Sequence, residues 1–249
     1  MKIFILILIT AFCCNTLSQQ SEEKLVTDTY FNVLETFSKA VPLIALSSLS
    51  DSELLSIAKK MYDAHQHYPK KTLETLWRNM KEVKTISDVA LLTVQYGIKK
   101  EIKNRFGKEY YNVLESPYTF KIKVLDREIV YYYWGDHKFQ SSKAVITAEI
   151  EYVLNGTEFN QGELIKFDCY AGKFSKFEIG EHYLVPLTYT YTKERKLAGL
   201  FLLDDRYSIH DNIIIDEDLS FMDNSELQWS ELQQRYSKVI NNIINGSIK

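Results

Sequence analysis

Asp63, His65 and His67 form the only histidine cluster in the sequence, and such residues are the raw material of a zinc site. Imidazole and carboxylate are the usual ligands of that ion. Their spacing works against a shared metal. Positions two apart on a helix point to different faces, whereas helical metal ligands stand three or four apart. Both histidines also precede Tyr68-Pro69, where a helix should end and where a cation suits the helix dipole. A structural role is expected for them, with Asp63, His65 and His67 as the metal set of an alternative reading, an exported metal-dependent hydrolase whose site is dispersed along the chain.

Other reactive groups are isolated. Cys169 sits in a β-rich stretch with no histidine placed to lower its pKa, and it reads as a small buried hydrophobe. No glycine-bracketed serine, phosphate-binding glycine loop or helical histidine pair occurs, so no catalytic residue and no cofactor is assigned. The acids Asp211, Asp216, Glu217, Asp218 and Asp223 lack the spacing and central glycine of a calcium loop and read as a solvated loop. Lys99, Lys100, Lys103, Arg105 and Lys108 read as the basic, solvated end of a helix, with an acidic partner surface as the sharper alternative. The most suggestive run is aromatic. Tyr131, Tyr132, Tyr133 and Trp134 must alternate faces on a strand, so one pair would be buried and the other exposed to a partner, with Tyr189 and Tyr191 able to widen the exposed set. Two further segments, Asn155-Gly156-Thr157 and Asn245-Gly246-Ser247, match the N-glycosylation pattern and are also ordinary turns.

Lys2 is followed by an apolar run from Ile3 to Cys14 and then by Thr16-Leu17-Ser18, the pattern of a secretory signal peptide cleaved before Gln19. Phe12 and Cys13 are poor neighbours for a lipid-bearing cysteine, so a secreted or periplasmic protein is expected over a lipid-anchored one. With Cys13 and Cys14 removed, Cys169 would have no disulfide partner and the fold must rest on its apolar core. A formal charge of −3 makes nucleic acid an unsuitable partner.

Apolar spacing divides the mature chain near Ser116-Pro117. Helices are expected over Val26 to Val41, from Ser50 onward with a Ser50–Glu53 capping box, around Leu73 to Met80, and from Ser87 to Arg105 with Gly107 as its stop. Strands should follow: Phe120 to Val124, Ile129 to Trp134, one long strand with Ala144, Ile146, Ala148, Ile150, Tyr152 and Leu154 on one face, then Leu164 to Tyr170, His182 to Tyr191, Leu197 to Leu203, Tyr207 to Ile209 and Ile213 to Ile215. A closing helix carries Leu232, Tyr236, Val239, Ile240 and Ile243, with Ser230 and Gln233 as its capping box. The expected class is α+β: a signal peptide (1–18), an N-terminal helical bundle (19–116), and a small antiparallel β-barrel with a C-terminal helix (117–249).

Three segments of the β half resemble the netrin-like, or tissue-inhibitor-of-metalloproteinase-like, OB-fold family: Ala148 to Gly156, Gly162 to Phe167, and Phe177 to Val185 with its phenylalanine-x-x-glycine-x-x-tyrosine-leucine-valine pattern. The resemblance covers about residues 118–220 and implies an OB-like barrel in an exported protein. The cysteine with which some members chelate a protease's zinc, and the family's disulfides, have no counterpart here. A non-enzymatic binding module that recognises a protein or glycan through the β domain is the expected function.

Overall fold

The computed structural model describes residues 32–34, 43–67, 86–134, 139–170, 177–191, 197–203 and 206–247. The expected leader, most of the first expected helix, and the whole of the third, Leu73 to Met80, lie outside them. A short 3-10 turn, Leu43–Ser48, leads into α1 (Asp51–His67). The capping box at its start is formed: Glu53 Oε2 accepts from Ser50 N at 2.8 Å, and Ser50 Oγ accepts from Glu53 N at 3.3 Å. Next comes α2 (Ile86–Phe106), which stops at Gly107, where φ is +101°. A helix absent from the sequence expectation follows, α3 (Lys108–Glu115), burying Tyr110, Val113 and Leu114. Eight residues are too few for a helical period to stand out from the strand pattern that succeeds them.

The β half begins with two 17-residue strands, β1 (Tyr118–Trp134) and β2 (Phe139–Asn155), paired antiparallel along their length. β3 (Leu164–Tyr170), β4 (His182–Tyr191) and β5 (Leu197–Leu202) complete a closed barrel. Its circuit runs β1-β2-β3-β5-β4 and back to β1, with β3 and β5 parallel at Phe167↔Leu200 and the other pairs antiparallel. Closure removes the open edges that a flat sheet would have to protect. Tyr118, Phe120, Ile122 and Val124 of β1 fill the interior with Ala144, Ile146, Ala148 and Ile150 of β2, Phe167 and Cys169 of β3, and Val185 and Leu187 of β4. Cys169 is 1% exposed there, the small hydrophobe expected of it.

A meander hangs from β4: β6 (Tyr207–His210), β7 (Ile213–Ile215) and β8 (Glu226–Gln228), the last a strand not expected from the sequence. Asp211 and Asn212 form the two-residue turn between β6 and β7, both at positive φ, the geometry that matches strand twist in a tight hairpin. β8 runs directly into α4 (Trp229–Asn245). Gln228 is the N-cap and makes no side-chain cap bond, so the expected Ser230–Gln233 box does not open this helix.

The chain is thus mixed α and β with a five-stranded barrel and a C-terminal helix. The expected N-terminal bundle is not supported. Among the described residues, α1, α2 and α3 share one apolar core with α4 and with outward-facing sheet residues, namely Leu154, Leu184, Tyr207, Ile209 and Ile214. The reason is on α4, whose Leu232, Tyr236, Val239 and Ile243 are buried against the other helices and complete a layer on the outside of the barrel. Each such side chain contributes about 1.5–3 kcal/mol on burial. No described helix is long and apolar enough to cross a membrane.

Candidate binding surface

β4 borders β1 only from Tyr118 to Lys123; two further bonds, Val124 N to Glu181 O and Gly180 N to Val124 O, join β1 to the residues that lead into β4. Immediately beyond lies a bulge: Val124 pairs with Ala148, but Asp126 pairs with Thr147, leaving Leu125 as the extra residue. A bulge turns a strand and exchanges its faces. Arg127, Ile129 and Tyr131 therefore oppose Ile146, Ala144 and Ser142, on the face that continues the barrel interior. The Arg127 guanidinium donates to the Phe177 carbonyl at the barrel mouth. Past it the hairpin extends clear of β4, with Ile129 39% and Tyr131 58% exposed. Among the described strands, none but β2 pairs with β1 along this distal half.

Tyr131 is the one member of the expected aromatic set whose side chain is described, and it is exposed. The backbone pairs Tyr132 with Ser141, Tyr133 with Gln140 and Trp134 with Phe139, while their side chains lie outside the described residues. Tyr189 does not widen this surface. It belongs to the opposite end of the barrel, where it packs edge-on against Tyr118 at 5.3 Å and donates to Glu158 Oε2 at 3.2 Å. Tyr118 donates to the same oxygen, and Phe159 closes the end edge-on at 5.1 Å. Burial, followed by the nearby Glu158 charge, pushes the Tyr189 hydroxyl up to about 12, and Tyr118 is raised further by burial, so both stay protonated donors.

Two more bulges reshape β2. Lys121 pairs with Tyr152 and Ile122 with Ile150, so Glu151 is extra; Thr119 pairs with Asn155 and Phe120 with Val153, so Leu154 is extra. The six-residue face expected from Ala144 to Leu154 is broken as a result. Ala144 through Ile150 point inward, whereas Tyr152 turns outward, 38% exposed, and Leu154 joins the core under the helices. Tyr152 there meets Trp229 edge-on, with centroids 5.6 Å apart, and the Lys121 ammonium sits 5.6 Å from the Trp229 ring.

Asp63, His65 and His67 are not assembled into a site. His65 is 6% exposed, with its Nε2 buried and without a hydrogen-bond partner. Burial, with Lys99 nearby, lowers its pKa to about 3 and keeps it neutral. His67 is exposed, and Asp63, half-buried, has its pKa raised by desolvation against the opposing pull of Lys59 and His67. Among the described residues, no three histidine, cysteine, aspartate or glutamate side chains come together as metal ligands. His182 Nδ1 lies 2.9 Å from Glu151, and His210 lies 3.9 Å from Glu181.

The charged stretches prove to be structural ties. Asp216 is 2% exposed, contrary to the solvated loop expected; its carboxylate accepts from the amides of Ser220, Phe221 and Met222 at 3.0, 2.8 and 2.6 Å. Lys108 donates to the carbonyls of Leu219 and Met222, which fastens α3 to the same loop. Lys99 pairs with Glu115, and Arg105 donates to Ser47 O, Leu49 O and Glu101. Three of the five expected surface cations are thereby committed within the fold. Asn155 is also committed, since its amide donates to the carbonyls of Val113 and Ser116 and is 2% exposed.

No protein-family model matches this chain, and no curated protein matches it.

Proposed function

We propose that this protein is an exported, non-enzymatic binding module with an OB-like barrel that recognises a protein or glycan through its β domain. The observation that carries the reading is the distal half of the β1–β2 hairpin, which holds Ile129 and Tyr131 exposed on paired strands beyond the last β4 contact. Large aromatics of this kind anchor interfaces because they bury much area at little entropic cost. The circuit β1-β2-β3-β5-β4 with its parallel β3–β5 contact supports the OB-like assignment, an architecture that uses its sheet face and its β1–β2 and β4–β5 loops for recognition. The netrin-like segments fall at the end of β2, at the start of β3 and at the entry to β4. The leader pattern of Lys2 to Ser18 supports export, and a secreted or periplasmic location with it.

The test compares capture from the native extracellular or periplasmic fraction by the immobilised protein and by Tyr131→Ala. A stoichiometric protein or glycan should be retained by the first and reduced about tenfold or more in the second, with the melting temperature nearly unchanged. Equal capture by both, or loss of folding in the variant, would remove the hairpin from the recognition surface.

A further inference from the structure

The outward turn of Tyr152 creates a second surface, remote from Tyr131 in the chain's own arrangement. Along the outer face of α4, beside Tyr152 of β2, lies a shallow, open groove of about 670 Å³. Tyr152 lies on the strand side, and Gln233, Gln234, Ser237, Asn241 and Asn245 line the helix side. Gln234, Ser237, Asn241 and Asn245 recur at three- and four-residue steps, with Gln233 alongside, so they share one face of α4. We propose that this groove binds a neutral oligosaccharide.

Charge sorting on α4 points that way. Glu231 and Arg235 pair with each other, and Arg235 also reaches Glu109 of α3 at 3.0 Å, which draws these charges to the helix side facing α3. The groove side is left with amides and hydroxyls, and Lys238 is its single charged residue among those described. An amide side chain offers both donors and an acceptor, as the hydroxyl pairs of a pyranose require. An anionic ligand would find one cation to compensate its desolvation, whereas a neutral sugar needs none. The aromatic component is already in place. Trp229 holds Tyr152 edge-on with an 85° angle between ring planes, and Trp229 is itself 9% exposed. A ring immobilised before binding loses little entropy when the apolar C–H face of a sugar packs on it. Asn242, at the base of the groove, donates to Tyr110 Oη at 2.7 Å and ties this face of α4 to α3.

The experiment is calorimetric titration of the intact protein with maltohexaose, cellohexaose and chitohexaose. At least one should bind with a Kd of about 1 mM or tighter, and its affinity should change little as NaCl is raised from about 0.05 to 0.5 M. Tyr152→Ala should weaken it about tenfold, Asn241→Ala several-fold, and Leu164→Ala, at an exposed position opening β3, not at all. Tyr152→Leu preserves apolar packing on Trp229 while removing the ring, and a folded Tyr152→Leu protein should lose the sugar too. Absence of binding by all three hexasaccharides, wild-type affinity in folded Tyr152→Leu, or a steep fall with salt would each overturn the proposal. A loss in Tyr131→Ala alone would return sugar recognition to the β1–β2 hairpin.

Discussion

Gly156→Ala should be among the most damaging single-methyl additions to this protein. Gly156 follows the last residue of β2 at φ +123°, a conformation that L side chains rarely adopt, and an added Cβ would lie 2.8 Å from Tyr118 Cδ1 and 3.4 Å from Phe120 Cε1. Tyr118 has no room to yield: it is 1% exposed, anchored through its hydroxyl to Glu158, and wedged edge-on between Phe159 and Tyr189. Backbone strain costs about 1–3 kcal/mol. Overpacking of a filled core adds about 1–3 kcal/mol. Restriction of the unfolded chain returns about 0.4–1 kcal/mol. The net loss is about 2–4 kcal/mol, a fall in melting temperature of about 5–15 °C for a chain of this size. Gly180→Ala is the control, because Gly180 has φ +91° and nothing within 4 Å of its added Cβ. It bears the backbone strain alone and should lose less. Thermal unfolding followed by circular dichroism compares the two, and equal melting temperatures would refute the claim that the Tyr118 end of the barrel is rigidly packed.

His65 should make stability fall in acid. Its folded pKa, about 3, is below the ordinary value of 6.5, so the unfolded chain binds the extra proton; the stabilisation is full above pH 6.5 and is lost as pH falls toward 3. At pH 5 the loss is about 2 kcal/mol relative to neutral pH. Urea unfolding from pH 7 to 4.5 should show a shallower slope in His65→Leu, and an unaltered slope would mean that the ring is not held neutral in the core. Asp216→Asn should cost about 2–3 kcal/mol, because it turns an acceptor for three backbone amides partly into a donor. Denaturant unfolding measures it, and a loss under about 0.5 kcal/mol would deny Asp216 its role in fastening the loop beneath α3.

Much of this architecture was legible from local pattern. The Ser50–Glu53 box, the strands at 164–170, 182–191 and 213–215, and the buried stripe of α4 follow from periods of two and 3.6 residues, and these survive because neighbours within one element decide them. Helix α3 and strand β8 were missed, being only eight and three residues long. The committed roles of Asp216, Asn155 and Arg105 were hidden for another reason. Each answers a backbone carbonyl or amide that only the folded chain brings near.

The amino-acid sequence by itself determined that a helical region precedes a β-rich one, that the strands alternate apolar and polar faces, and that the aromatic residues of 131–134 must divide between two faces. Which face each aromatic takes was decided by tertiary structure. The extra residue Leu125 puts Tyr131 on the face that continues the barrel interior, and the extra residue Glu151 turns Tyr152 out toward Trp229. Side-chain direction in a strand has a period of two, so one inserted residue reverses everything after it. The bulge itself depends on how a long strand bends to meet β4 on one side and β2 on the other, a condition set by barrel closure and by no residue alone.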